Sequence, residues 1–305
     1  MARRTVAKDT RAKTDVEAER ERKQDEELGP PVEEKEIELG PKEEEEVERR
    51  TAPAVAVVHE AIRAEGEAEL LRPVSALFFS GLAAGLSMGF SLVAEGLLRA
   101  GLPDASWRPL VAKLGYSLGF LIVILGRQQL FTENTLTPIL PLLQRRTLRA
   151  LWRVLRLWGV VLFANVLGAL IFAWIVARTD VFDAHTRDTF ARIGHEALRS
   201  RFGNTFLRAV FAGWLIALMV WLLPYAESAR LWVIIILTYI VGLGGFSHII
   251  AGSTETLFIV LRGEAAWAEF IWRFFLPTLL GNVLGGVALV AAINHAQTVA
   301  GKEET

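Results

Sequence analysis

The chain has 305 residues, 52% of them hydrophobic, with a formal net charge of -1 and no cysteine. The missing cysteine excludes disulfides, thiol nucleophiles and cysteine–metal sites. The near-zero net charge says nothing about partners, because 29 of the 67 charged residues fall in residues 1–50 and leave the remainder far more apolar than the average.

Residues 1–54 are charge-rich, carry Pro30, Pro31 and Pro41, and have almost no large apolar side chains. Such a segment cannot bury enough surface to offset its ordering entropy, so a disordered tail is expected. Its opening, MARRTVAKDTRAKTDVEAER, has no apolar run and does not read as a secretory signal. The tail is mixed in sign and net acidic, which argues against nucleic-acid binding. Residues 55–72, VAVVHEAIRAEGEAELLR, space their apolar residues as a short amphipathic lead-in helix does. His59 within it is expected at the surface.

From Pro73 to residue 296, six segments are long enough to cross about 30 Å of hydrocarbon. They run 73–98, 110–131, 151–176, 206–223, 231–261 and 270–293, with a short tail at 297–305. The first contains SGLAAGLSMG, whose small residues suit close helix contacts in a bundle. The second ends in LFTENTLTPILPLL, where polar residues and two prolines interrupt the apolar run. Between the second and third lies QRRTLRALWRVLR, with five arginines and no acid, which places that loop and both termini in the cytoplasm. The connection 178–204 is the longest and mixes five arginines with four acids. His185 and His195 on it are expected at the surface. Tryptophans such as Trp107, Trp152, Trp158 and Trp272 suit interfacial belts.

The fifth segment carries GFSHIIAGSTETLF, with a histidine, a glutamate and several hydroxyls inside an apolar run. An intramembrane ionisable residue is a functional candidate by default. The halves of the chain also resemble each other. FANVLGALIFA at 163–173 matches LGNVLGGVALV at 280–290, pairing Asn165 with Asn282. FTENTL at 131–136 resembles GSTETL at 252–257, pairing Glu133 with Glu255. Three spans per half make the halves inverted, and paired interruptions in inverted halves point to a transport site. The expected fold is therefore an all-α membrane protein of six transmembrane helices in two inverted three-helix repeats, with the second and fifth helices broken. The half-helix N-termini at the breaks would offer free N–H groups to an anion. Thr132 is read equally as an N-cap and as a pore residue. Glu133 and Glu255 are read as structural carboxylates at the breaks, with Arg127 as a partner, and Asn165 and Asn282 as amides bonding across helices.

Five motifs in order resemble those of the formate/nitrite transporter family: LFT at 130–132, FANVLGA at 163–169, FLRAVFAGWLIALMVW at 206–221, GFSH at 245–248 and LPTLLGNVLGG at 276–286. The long charged tail and the variant motifs are most similar to its YfdC-like branch. The resemblance implies an aquaporin-like protomer in a homopentamer of the inner (plasma) membrane, passing small monovalent anions such as formate, nitrite or hydrosulfide. It makes His248 the pore histidine, Thr132 the threonine facing it, and Leu130 and Phe131 the apolar residues that pinch the pore. Gly213, Ala197, Ser247 and Gln129 stand where the resemblance expects an asparagine, a lysine, a glutamate and an acid.

A bare anion leaves water only at high cost, whereas a neutral weak acid does not. His248, of ordinary pKa near about 6.5, is the candidate proton donor or relay at the constriction. Two other readings compete. One is a non-conducting membrane scaffold that binds a partner; the other is a channel for small neutral solutes. No metal-ligand cluster, nucleotide loop or nucleophile–base pair is legible, so neither an enzyme nor a cofactor is expected.

Overall fold

Two long helix pairs carry the architecture of the computed structural model, which describes Gly40 and residues 55–288. The readings for the N-terminal tail, for residues 289–296 of the last span and for residues 297–305 lie outside the described residues. In chain order the helices are α1 (Val55–Leu71), α2 (Val74–Gly101), α3 (Arg108–Ala112), α4 (Ser117–Leu125), α5 (Ile139–Arg145), α6 (Leu148–Arg178), α7 (Ala184–Leu198), α8 (Phe202–Leu222), α9 (Arg230–Leu243), α10 (Ile249–Leu261), α11 (Trp267–Glu269) and α12 (Leu276–Gly286). A 3₁₀ turn at Lys113–Tyr116 joins α3 to α4, and a π-helical turn at Phe270–Phe275 joins α11 to α12.

Among the described residues, four helices or helical runs are long and apolar enough to cross a membrane: 74–101, 108–125, 148–178 and 202–225. The fifth predicted span is instead two helices of 14 and 13 residues, α9 and α10. At 1.5 Å per residue each covers only about 20 Å, so neither spans alone. The second span also ends sooner than its hydropathy suggests. Helix α4 stops at Leu125, so Leu130 and Phe131 lie in the break and not in the helix. Pro138 explains why the chain is slow to resume. Proline has no amide to donate, and with Pro138 as the N-cap α5 starts only at Ile139.

α2 packs along α6, and α8 along α12. Glycines let the paired backbones meet. A Cβ on Gly85 would lie 2.1 Å from the Asn165 carbonyl oxygen, and one on Gly213 would lie 2.3 Å from that of Asn282. Gly213 is thus a helix-crossing residue against α12. The two contacts are equivalent in the two halves.

The breaks repeat in a register that differs from the one read off the sequence. After α4, Arg127 adopts φ 49° and the Gln128 amide donates to the Val123 carbonyl at 2.9 Å. After α9, Gly245 adopts φ 59° and the Phe246 amide donates to the Val241 carbonyl at 3.0 Å. Both are left-handed helix terminations, and they pair residue 127 with 245 and 123 with 241. That register puts Leu130 opposite His248. It leaves Glu133 and Glu255 unpaired by the repeat, because FTENTL and GSTETL are alike in composition and not in position.

Three further expectations change. His59 is buried, because it lies beside Val58 on the face of α1 that packs inward. The 178–204 connection is not a bare loop, since Asp183 accepts from the Thr186 amide at 2.9 Å and starts the amphipathic α7. Trp158 serves the interior and not a belt, its indole N–H donating to the Asn134 carbonyl at 2.7 Å.

Candidate functional site

Two asparagines hold the breaks. Asn165 Oδ1 accepts from the Phe131 amide at 2.9 Å, and its Nδ2 donates to the Gly81 and Gln129 carbonyls at 2.8 and 2.9 Å. Asn282 does the same in the other half, accepting from the Ile249 amide at 2.9 Å and donating to the Ala209 and Ser247 carbonyls at 2.8 and 2.9 Å. Asn165 of α6 thus ties α2 to the first break, and Asn282 of α12 ties α8 to the second. Backbone freed by a broken helix at membrane depth needs such partners.

The breaks meet at Thr132 and His248. Thr132 Oγ1 lies 2.8 Å from His248 Nε2, and both residues are buried. His248 is also the N-cap of α10, its Nδ1 accepting from the Ala251 amide at 3.3 Å. A capping nitrogen carries no proton, so the ring is the Nε2–H tautomer and Nε2 donates to Thr132. Thr132 itself makes no side-chain cap, and its hydroxyl meets His248 instead. Phe120 packs edge-on against the imidazole at 4.8 Å between centroids, and Phe131 packs on Trp158 at 5.9 Å. Leu130 and Phe131 are fully buried beside this contact.

A cavity opens on either side. One, of about 410 Å³, lies beside α1 and is bordered by Glu65, Glu69, Arg127, Gln129, Glu133 and Arg230, among others. The other, of about 290 Å³, lies beside α7 and is bordered by Lys113, Arg208, Ser247, His248 and Glu255, among others. They occupy opposite ends of the bundle. α4 starts at the second cavity and ends at the first, and α9 does the reverse. Thr132, Leu130 and Phe131 stand between them.

The N-termini at the breaks offer fewer free donors than expected. After the first break there is only a three-residue 3₁₀ turn, Glu133–Thr135. After the second, Asn282, the His248 ring and the His248 carbonyl already take the amides of Ile249, Ala251 and Gly252. Among the described residues Arg127 forms no ion pair with Glu133, although both border the cavity beside α1. Gln129 donates from Nε2 to Glu69 at 2.9 Å and accepts from Asn134 Nδ2 at 3.0 Å, which binds α1 to the first break.

Some residues of the site escaped the sequence reading. Lys113 borders the cavity beside α7 and pairs with the buried Glu95 of α2 at 2.5 Å. Ala197 borders the same cavity, as do the cations Lys113 and Arg208. Glu95 had a legible signal, a lone carboxylate in the apolar run SLVAEGLL. That Lys113 would turn toward it had none.

Comparison with known proteins shows the family and the fold. The sequence profile of the family described as "Formate/nitrite transporter" matches residues 56–296. The chain is 46% identical over 266 residues to the inner membrane protein YfdC of Escherichia coli (strain K12), covering 87% of this chain and 86% of that one. Its fold is similar to a solved FNT family ion channel, with TM-score 0.68 at 17% identity over 80% of this chain and 98% of that chain. It is also similar to a solved pentameric formate channel with formate bound, with TM-score 0.63 at 22% identity over 74% and 98%.

Proposed function

Because this chain belongs to the formate/nitrite transporter family, whose members are channels and transporters and not enzymes, we propose that it conducts small monovalent anions or their weak acids in a proton-linked way through the Thr132–His248 contact. The observation that carries this reading is the pairing of those two side chains, buried at 2.8 Å, between two cavities at opposite ends of the bundle. The Nε2–H of His248 is a hydrogen-bond donor fixed in a low-dielectric constriction. A carboxylate-like permeant that displaced Thr132 would meet that donor and no carboxylate at the same point. Lys113 and Arg208 draw anions into one cavity; Arg72, Arg127 and Arg230 draw them into the other. Apolar walls at Leu130, Phe131 and Phe120 favour the neutral acid over the anion in transit.

The remaining assignments belong to the same reading. Six spans place both termini on the side of the arginine-rich 144–156 segment, the cytoplasmic side of the inner membrane. The assembly is a homopentamer, by similarity to the solved pentameric formate channel. Residues 73–296 form the channel and 1–54 a charged cytoplasmic tail.

The test is stopped-flow flux in proteoliposomes with formate, nitrite, hydrosulfide and urea at two pH values. Wild type carries the weak acids faster at low pH, and His248→Phe lowers that flux. A second reading, a non-conducting scaffold, is favoured by the closed contact of Thr132 with His248 and the buried Leu130 and Phe131. Folded wild-type protein that carries none of the solutes decides for it. Faster flux of urea than of any weak acid decides for a neutral-solute channel.

A further inference from the structure

A weak acid that crosses as its neutral form needs a proton donor on one side of the barrier and an acceptor on the other. His248 is poorly placed to be either. Its Nδ1 caps α10, so taking a second proton there would set a donor against the Ala251 amide. Its one ring proton sits between Nε2 and Thr132, and giving that proton away would leave an imidazolate. A proton handed over by a side chain therefore comes from another group.

Glu255 meets the requirements. It lies seven residues beyond His248 on α10, on the same helix face and about 10 Å along the axis. It is only 8% exposed, yet it borders the cavity beside α7 together with His248. Among the described residues its carboxylate accepts no hydrogen bond and forms no ion pair. The charged groups around it come from several elements, and most are already engaged. Lys113, before α4, pairs with Glu95 of α2. Glu196 of α7 pairs with Arg99 of α2. Arg208 of α8 donates to Ser200 at 3.0 Å. Tyr116 and His248 complete the titratable wall.

Across the barrier the position next to Thr132 is Glu133, which borders the cavity beside α1. Among the described residues its side chain also has no hydrogen-bond or ion-pair partner. Around it stand Glu65 and Glu69 of α1, Arg72, Arg127 and Gln129, and Arg230 at the start of α9. Two free carboxylates thus flank one closed contact, each on its own cavity.

We propose that Glu255 and Glu133 are the proton-exchanging groups of the two cavities. This rests on the channel reading above. In one direction, the O–H bond of protonated Glu255 breaks and an O–H bond forms on formate or nitrite, or an S–H bond on hydrosulfide. The neutral acid passes His248 and Thr132, gives its proton to the Glu133 carboxylate and leaves as the anion. Water of each cavity then reprotonates Glu255 and deprotonates Glu133. One proton and one anion cross together, and no net charge moves.

The experiment uses the full chain in proteoliposomes with an internal pH dye and formate, nitrite and hydrosulfide as probes. Wild type, Glu255→Gln, Glu255→Asp and Glu133→Gln are compared across a pH series, each checked for monodispersity. Glu255→Gln and Glu133→Gln are expected to slow anion-driven proton uptake about tenfold or more and to flatten its pH profile, while Glu255→Asp retains both. A Glu255→Gln channel with the wild-type rate and pH profile overturns the proposal and leaves the channel reading standing. Wild type that moves anions with no accompanying proton overturns the proposal together with the proton-linked part of the channel reading. Wild type that moves none of the probes overturns the channel reading itself, and this inference with it.

Discussion

Asn165 and Asn282 show how much one side chain can hold at membrane depth. Each satisfies one amide and two carbonyls of the broken segments. Replacing Asn282 by alanine strands all three groups, at a cost of about 1–3 kcal/mol for each buried group left without a partner. We expect Asn282→Ala and Asn165→Ala each to lower the thermal midpoint in detergent by several degrees; unchanged midpoints would mean that water or lipid takes over those groups. Gly213 makes a complementary point. The resemblance expects an asparagine there, but the Asn282 backbone leaves no room for a Cβ. Gly213→Asn is expected to destabilise by about 1–3 kcal/mol through overpacking. A gain in flux with unchanged stability would place Gly213 at the pore.

At the scale of elements, α1 is the least conventional part of the bundle. It docks on the first break through Gly66, whose Cβ would fall 2.0 Å from the Thr137 carbonyl oxygen, and through Glu69, which accepts from Gln129 and Thr137. Arg145 pairs with Glu67, and Arg156 donates to the Leu70 carbonyl. The arginines read as an orientation signal therefore also fasten a helix. Burial raises the Glu69 carboxyl above the ordinary carboxylate range, against the lowering effect of its two hydrogen bonds. A carboxyl raised in the docked state holds its proton more tightly there than when α1 is free. Docking is thus strongest at low pH and weakens as pH rises through the raised value. Hydrogen exchange of the α1 amides should show better protection at pH 5 than at pH 8, and Glu69→Gln should remove the difference. Equal protection at both values in wild type would refute the linkage.

For the whole molecule, the question is how an anion enters cavities that hold carboxylates as well as cations. Lys113 lies at the mouth of α4 and faces the same cavity as Glu255. Removing it alone would strand Glu95, so the informative variant is Lys113→Gln with Glu95→Gln. If the lysine concentrates anions in the cavity, this pair lowers formate flux about threefold to tenfold at low ionic strength, and the loss fades as salt screens the field. A loss that is equal at low and high salt would instead indicate damaged packing.

The sequence by itself determined the membrane class, the family and the pairing of Thr132 with His248. Hydropathy, the spacing of the Asn-x-x-Gly motifs and the motifs around Thr132 and His248 are local properties that survive without coordinates. Only the tertiary structure decided the register of the repeat, since it depends on which carbonyl each asparagine reaches. The same holds for Gly213, whose role is set by a backbone on another helix, and for Lys113, which meets Glu95 from eighteen residues away. It also decided that, among the described residues, Glu133 and Glu255 have no hydrogen-bond or ion-pair partner while His248 is engaged at both nitrogens. Hydrogen bonds are directional and short, so their partners follow from packing and not from the order of the chain.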